Sequence, residues 1–128
     1  MAIKIHAFLC LGLVLTFISV TSAISGTATF YTVYVPSACY GYEDQGVMIA
    51  AVSDALWENG AACGRMYSVT CTGPTNQGVP QPCRGTVTVK VVDRCPGCDA
   101  NNIDLSQEAF SAIADPNAGK INIDYNQV

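Results

Sequence analysis

A small, mainly β barrel with short helices, stapled by disulfides, is the fold this sequence predicts. Three observations predict it. Apolar and polar side chains alternate over short runs, most clearly from Thr86 to Val92, where Val87, Val89 and Val91 face one way and Thr86, Thr88 and Lys90 the other. Turn formers break these runs often, above all between Thr72 and Arg84, with Pro74, Gly78, Pro80 and Pro82. Six cysteines remain once an N-terminal leader is set aside, an even number suited to three disulfides.

The elements follow in order. Gly26 to Thr32 is rich in β-formers and reads as a first strand. Val35 to Gly41, with Pro36 and Gly41, reads as a loop, and the apolar run Val47 to Val52 as a buried strand. Ser53 to Glu58 predicts one or two helical turns, capped by Ser53 and stopped by Asn59-Gly60. Met66 to Cys71 alternates as a strand, and Thr72 to Arg84 is a long loop. After the Thr86–Val92 strand, Asp93-Arg94-Cys95-Pro96-Gly97-Cys98 forms a tight turn that leads to a helix start. Leu105, Ala109, Phe110 and Ile113 share one helical face, and Asp104 with Gln107 has the spacing of a capping box. Ile121, Ile123 and Tyr125 alternate with Asn122, Asp124 and Asn126 as a last strand. Five or six short strands with two short helices favour a small barrel over a bundle or a parallel sheet.

The N-terminus places the chain outside the cell. Lys4 stands in a short polar start, Ala7 to Val20 is apolar, and Thr21-Ser22-Ala23 offers small residues before a cut. Residues 1–23 are expected to be a signal peptide and residues 24–128 a single domain. The apolar run is shorter than the ~20 residues a membrane span needs. Cleavage removes Cys10, His6 and Lys4, and leaves Arg65, Arg84, Lys90, Arg94 and Lys120 against ten acidic residues. That balance speaks against nucleic acid and against insertion at anionic membranes. Six cysteines alone permit fifteen connectivities.

Loss of the one histidine excludes a Ser-His-Asp or Cys-His nucleophile pair and a Cys₂His₂ zinc site. Cys95 and Cys98 are the only pair spaced like a metal knuckle, so a Cys₄ site lacks its second half; no metal or cofactor is expected. A redox role for that pair is disfavoured too. It follows a strand rather than opening a helix, and the carboxylates of Asp93, Asp99 and Asp104 nearby in sequence would raise a thiol pKa.

Several motifs, taken in order, resemble the first domain of the expansins: Gly26 to Tyr31, Ala38 to Gly41, Ala55 to Gly60, Ala62-Cys63-Gly64, and Ile103 to Ser106 with Phe110. The Asp93 to Cys98 turn, and an ending without a second domain, look more like the plant natriuretic peptides and blight-associated proteins, whose domain is similar to family forty-five endoglucanases. The resemblance implies a six-stranded double-psi β-barrel with an open polysaccharide groove. It implies an apoplastic protein that acts as a mobile extracellular signal in water and solute homeostasis and stress responses. In that group signalling is linked to a segment that here runs roughly from Val35 to Tyr67. The expansin pattern further implies the pairs Cys39–Cys63 and Cys71–Cys83, which leaves Cys95–Cys98.

Glycoside hydrolysis normally takes two carboxylates. By the resemblance, Asp104 stands where the endoglucanases carry their acid, but the general-base position, two residues past Tyr31, is Val33. Ile103 replaces the histidine that precedes the aspartate in expansins. The protein is therefore expected to be a non-hydrolytic signal and not an enzyme, with a polysaccharide-binding or wall-modifying module as the alternative and a glycan-cleaving enzyme behind it. Thr29, Tyr31, Asp93 and Asp104 are the candidate glycan-groove residues. Structural readings stand beside them: Asp93 as a strand-end aspartate bonding backbone amides, and Asp104 as a helix cap. Trp57 reads as a core anchor, Arg65 as a surface charge, and Tyr40 and Tyr42 as loop residues open to a partner. The expected partners are cell-wall polysaccharide, a plasma-membrane receptor, or both, met by a monomer.

Overall fold

Each short strand buries one face, and a ring of strands does so without leaving an edge. Residues 22–128 are described by the structure, a computed structural model. The predicted leader falls almost wholly outside them. Six strands close the ring: β1 (Ile24–Tyr31), β2 (Ile49–Ser53), β3 (Met66–Pro74), β4 (Thr86–Cys95), β5 (Asn102–Ser106) and β6 (Ile121–Gln127). Their order around the barrel is β1-β5-β2-β4-β3-β6. β1/β5 and β2/β4 pair in parallel, and the other four pairs are antiparallel. Helix α1 (Asp54–Trp57) follows β2, and helix α2 (Gln107–Ile113) follows β5.

Alternation decides what points inward. Ala28, Ala50, Val52, Val69, Val89, Val91, Ile103, Leu105, Ile121, Ile123 and Tyr125 meet in the core. Ala109, Phe110 and Ile113 of α2 close one side of it, and Phe110 meets Phe30 with ring centroids 5.0 Å apart. Trp57 and Leu56 pack partly buried against the same cluster, as an anchoring role for Trp57 requires. Val92 is the extra residue of a bulge: Ala50 lies opposite Val91 and Ala51 opposite Asp93. The bulge lets Val91 and Val92 both be buried and turns Asp93 onto the outer face.

The three disulfides sit at loops. Cys39–Cys63 ties the long β1–β2 connection to the segment after α1. Cys71–Cys83 closes the proline-rich loop onto β3, and Cys95–Cys98 spans the turn between β4 and β5.

Several local readings are corrected. The stretch Asn102–Ser106 is a strand, not the start of a helix, because it gains ladders to both β1 and β2. Asp104 consequently caps nothing; Ser106 is the N-cap of α2, its hydroxyl accepting from the Ala109 amide at 3.0 Å. Ser53 precedes α1 but its hydroxyl does not cap it; it donates to the Ala100 carbonyl at 2.6 Å and pins the turn that follows Cys98. The left-handed residues that end α1 begin at Glu58, one before Asn59. Arg65 is more engaged than a free surface charge, forming an ion pair with Glu58 at 2.9 Å.

Candidate functional site

The barrel topology sets four residues from four strands in one row. Thr29 of β1 lies opposite Asp104 of β5, Asp104 opposite Ala51 of β2, and Ala51 opposite Asp93 of β4. Directly paired residues project to the same face of a sheet. Ile103 and Leu105 point into the core, so this row faces out. Neighbouring strands are ~4.8 Å apart, so the backbones of Asp104 and Asp93 are separated by two such steps, with the small Ala51 as the floor between them.

All four candidate groove residues are brought together. The Thr29 hydroxyl donates to Asp104 Oδ1 at 2.9 Å. Tyr31 follows Thr29 on the same face; its hydroxyl is buried and, among the described residues, has no hydrogen-bond partner. The Tyr34 ring packs edge-on against it, centroids 5.3 Å apart. Tyr34 is itself held by α2: its hydroxyl donates to the Glu108 carboxylate and accepts from the Gln107 amide at 3.1 Å. Asp93 Oδ1 accepts from the amides of Ala38 and Arg94, at 3.0 and 2.9 Å, and so anchors the β1–β2 connection to β4. The structural reading of Asp93 and its place in the row therefore hold together.

Burial holds the Asp104 carboxyl above the ordinary carboxylate range; the Thr29 hydrogen bond opposes this and the charge of Asp93 adds to it. Burial also pushes the Tyr31 phenol up, helped by Asp93, Asp104 and Tyr34. Because Asp104 protonates more readily in the fold than in the unfolded chain, the stability this lends is complete below the unfolded carboxylate range. It is lost as pH rises through the raised folded value. Asp104→Asn is thus expected to melt about 1–4 °C above the wild type at neutral pH, a small gain because water screens a half-exposed carboxylate. The gap should close in acid. Thermal unfolding at both ends of that range checks it, and a gap independent of pH contradicts it.

Cys95, Cys98 and Asp104 place their sulfur and carboxylate atoms within 4.8 Å of one another. With the two sulfurs joined, Asp104 is the remaining anionic donor of that group. Val33 stands beyond the end of β1 with 74% of its surface exposed, so the position expected for a base carries an aliphatic side chain in solvent. Tyr42 is exposed, while Tyr40 is half-buried with the Lys90 ammonium 5.1 Å from its ring centre.

The sequence reading missed Asn102, Thr27 and Ala51. Thr27 Oγ1 donates to Asn102 Oδ1 at 2.8 Å, and Asn102 Nδ2 donates to Thr29 Oγ1 at 3.1 Å. The available signal was the alternation Asn102-Ile103-Asp104-Leu105-Ser106, polar out and apolar in. Beyond Thr27, the face continues into an open cavity of about 430 Å³ bordered by Ser25, Gly26, Thr27, Asp99, Ala100 and Asn101.

A family model described as lytic transglycolase, of the double-psi β-barrel type, matches residues 49–125. An EG45-like domain containing protein of Citrus jambhiri is 64% identical over 112 residues, covering 85% of this chain and 85% of its own. Among solved structures, the apo expansin of Clavibacter michiganensis superposes with a TM-score of 0.68 at 36% identity, over 84% of this chain and 50% of that one. A mutant of that expansin in complex with cellohexaose gives a TM-score of 0.66 at 34% identity over the same shares. The present chain thus spans about half the length of those expansins. The ring of six strands with its two parallel pairs is the double-psi β-barrel, and the chain belongs to the EG45-like domain proteins, relatives of the expansins.

Proposed function

We propose that this protein is a secreted, non-hydrolytic, expansin-like module that binds cell-wall polysaccharide along the outer row of β1, β5, β2 and β4. The observation that carries the reading is the row itself, Thr29, Asp104 and Asp93 around the Ala51 floor; the family resemblance assigns the general-base position to the aliphatic, exposed Val33. Sugar hydroxyls are both donors and acceptors, and a row that sets the Thr29 hydroxyl beside the carboxylates of Asp104 and Asp93 addresses both. The relative crystallised with cellohexaose supports a β-glucan as the ligand class. The cavity beyond Thr27 extends the same face and falls within the ~300–1,000 Å³ range of ligand sites.

The test is binding to cello-oligosaccharides and washed cell walls. Asp104→Asn is expected to weaken binding about 10–100-fold, the effect of removing one charged hydrogen-bond partner. Equal binding by both proteins removes Asp104 from the groove. Release of reducing ends by the wild type, lost in Asp104→Asn, overturns the non-hydrolytic reading.

A second reading, an apoplastic signal in water and solute homeostasis, is favoured by one observation. The β1–β2 connection exposes Val33, Val35 and Tyr42, the last with 82% of its surface open, on a loop tethered by Cys39–Cys63. Exposed apolar and tyrosine side chains on a fixed loop suit a receptor contact. Volume change of leaf protoplasts on addition of the oxidised protein decides for or against it.

A further inference from the structure

Asn102 is 3% exposed and sits between two threonines in a chain of three hydrogen bonds that ends on Asp104. The direction of that chain is set at its end. An ionised carboxylate only accepts, so Thr29 must donate to Asp104 Oδ1. The Thr29 oxygen then accepts from Asn102 Nδ2, and Asn102 Oδ1 accepts from Thr27. Turned over, the same amide would accept from Thr29 and draw that proton away from Asp104.

We infer that Asn102 is a positioning residue: its amide holds Thr29 as the donor to Asp104 Oδ1, and so leaves Oδ2 as the oxygen presented to a ligand hydroxyl. Its use in binding rests on the glycan-groove reading; its existence does not. Protonation of Asp104 gives the end of the chain a proton to donate, so the environment of the Asn102 amide follows the titration of Asp104. The titratable groups facing Asp104 are Asp93 from β4 and Tyr31 from β1, while β2 contributes Ala51. Cys95 and Cys98 are joined and do not titrate.

The experiment is NMR of the oxidised protein through the acidic range, following the Asp104 carboxyl carbon and the Asn102 side-chain amide nitrogen. In the wild type both are expected to move with one midpoint. In Thr29→Val the amide should stop following, and the Asp104 midpoint should rise because the hydrogen bond that lowered it is gone. Asn102→Asp should raise the midpoint more in the wild-type background than in Thr29→Val, since only there does the new carboxylate divert Thr29 as well as add charge. Equal shifts in both backgrounds overturn the inference. So does an amide indifferent to Asp104 in the wild type, a result that needs no variant to fold. Lost glycan binding with the coupling intact sinks the proposed function alone; broken coupling with binding intact sinks this inference alone.

Discussion

Phe110→Ala is expected to lower the unfolding free energy by about 3–5 kcal/mol, the usual cost of emptying a fully buried aromatic site. Phe110 is the largest side chain that α2 brings to the core. A seven-residue helix has almost no stability of its own, so its place on the barrel depends on such packing. The ring touches Phe30, which lies between Thr29 and Tyr31 on β1. α2 also packs on β4 and β5, and its Gln107 and Glu108 hold Tyr34 over Tyr31. Loss of Phe110 should therefore loosen the groove as well as the core. Urea unfolding measures the first effect, and oligosaccharide binding under folding conditions the second. A loss below about 1 kcal/mol would mean that α2 does not close the core.

Removing Cys39–Cys63 by paired serine substitution is expected to cost about 3.5 kcal/mol, against about 3 kcal/mol for Cys71–Cys83, because the first closes the longer loop, a separation of 24 residues rather than 12. The two should also differ in where they act. Cys39 donates its amide to Val92 at 3.0 Å, and its neighbour Ala38 donates to Asp93. Without the tether these amides should exchange with solvent faster, and the loop bearing Tyr42 should lose its fixed position. Loss of Cys71–Cys83 should leave the row of Thr29, Asp104 and Asp93 undisturbed, since it lies on β3 and the loop beyond. Guanidinium unfolding with hydrogen exchange checks both; equal costs and equal exchange patterns would contradict the assignment.

The strand at Thr86 is legible in the sequence because β-branched residues alternate there without competition from a helical pattern. Asn102–Ser106 is not, because Leu105 fits the apolar spacing of the helix that follows and Asp104–Gln107 imitates a capping box. What decides is pairing with two strands distant in sequence, which no local pattern carries. The site divides along the same line. Asp104, Thr29 and Tyr31 are named by the family resemblance, and Asp93 by its place at the end of an alternating run. Asn102 escapes because its partners Thr27 and Thr29 lie 75 and 73 residues away. The bulge at Val92 escapes because two adjacent apolar residues read equally well as plain alternation that has ended.

The order of strands around the barrel has a kinetic consequence. β1, the first of the six described strands, has β5 and β6, the last two of the six, as its neighbours. Contacts so remote along the chain slow folding, because much of the polymer must be gathered before any of them forms. β1 therefore stays without its barrel neighbours until Asn102–Ser106 and Ile121–Gln127 have been made, and the ring cannot close before then.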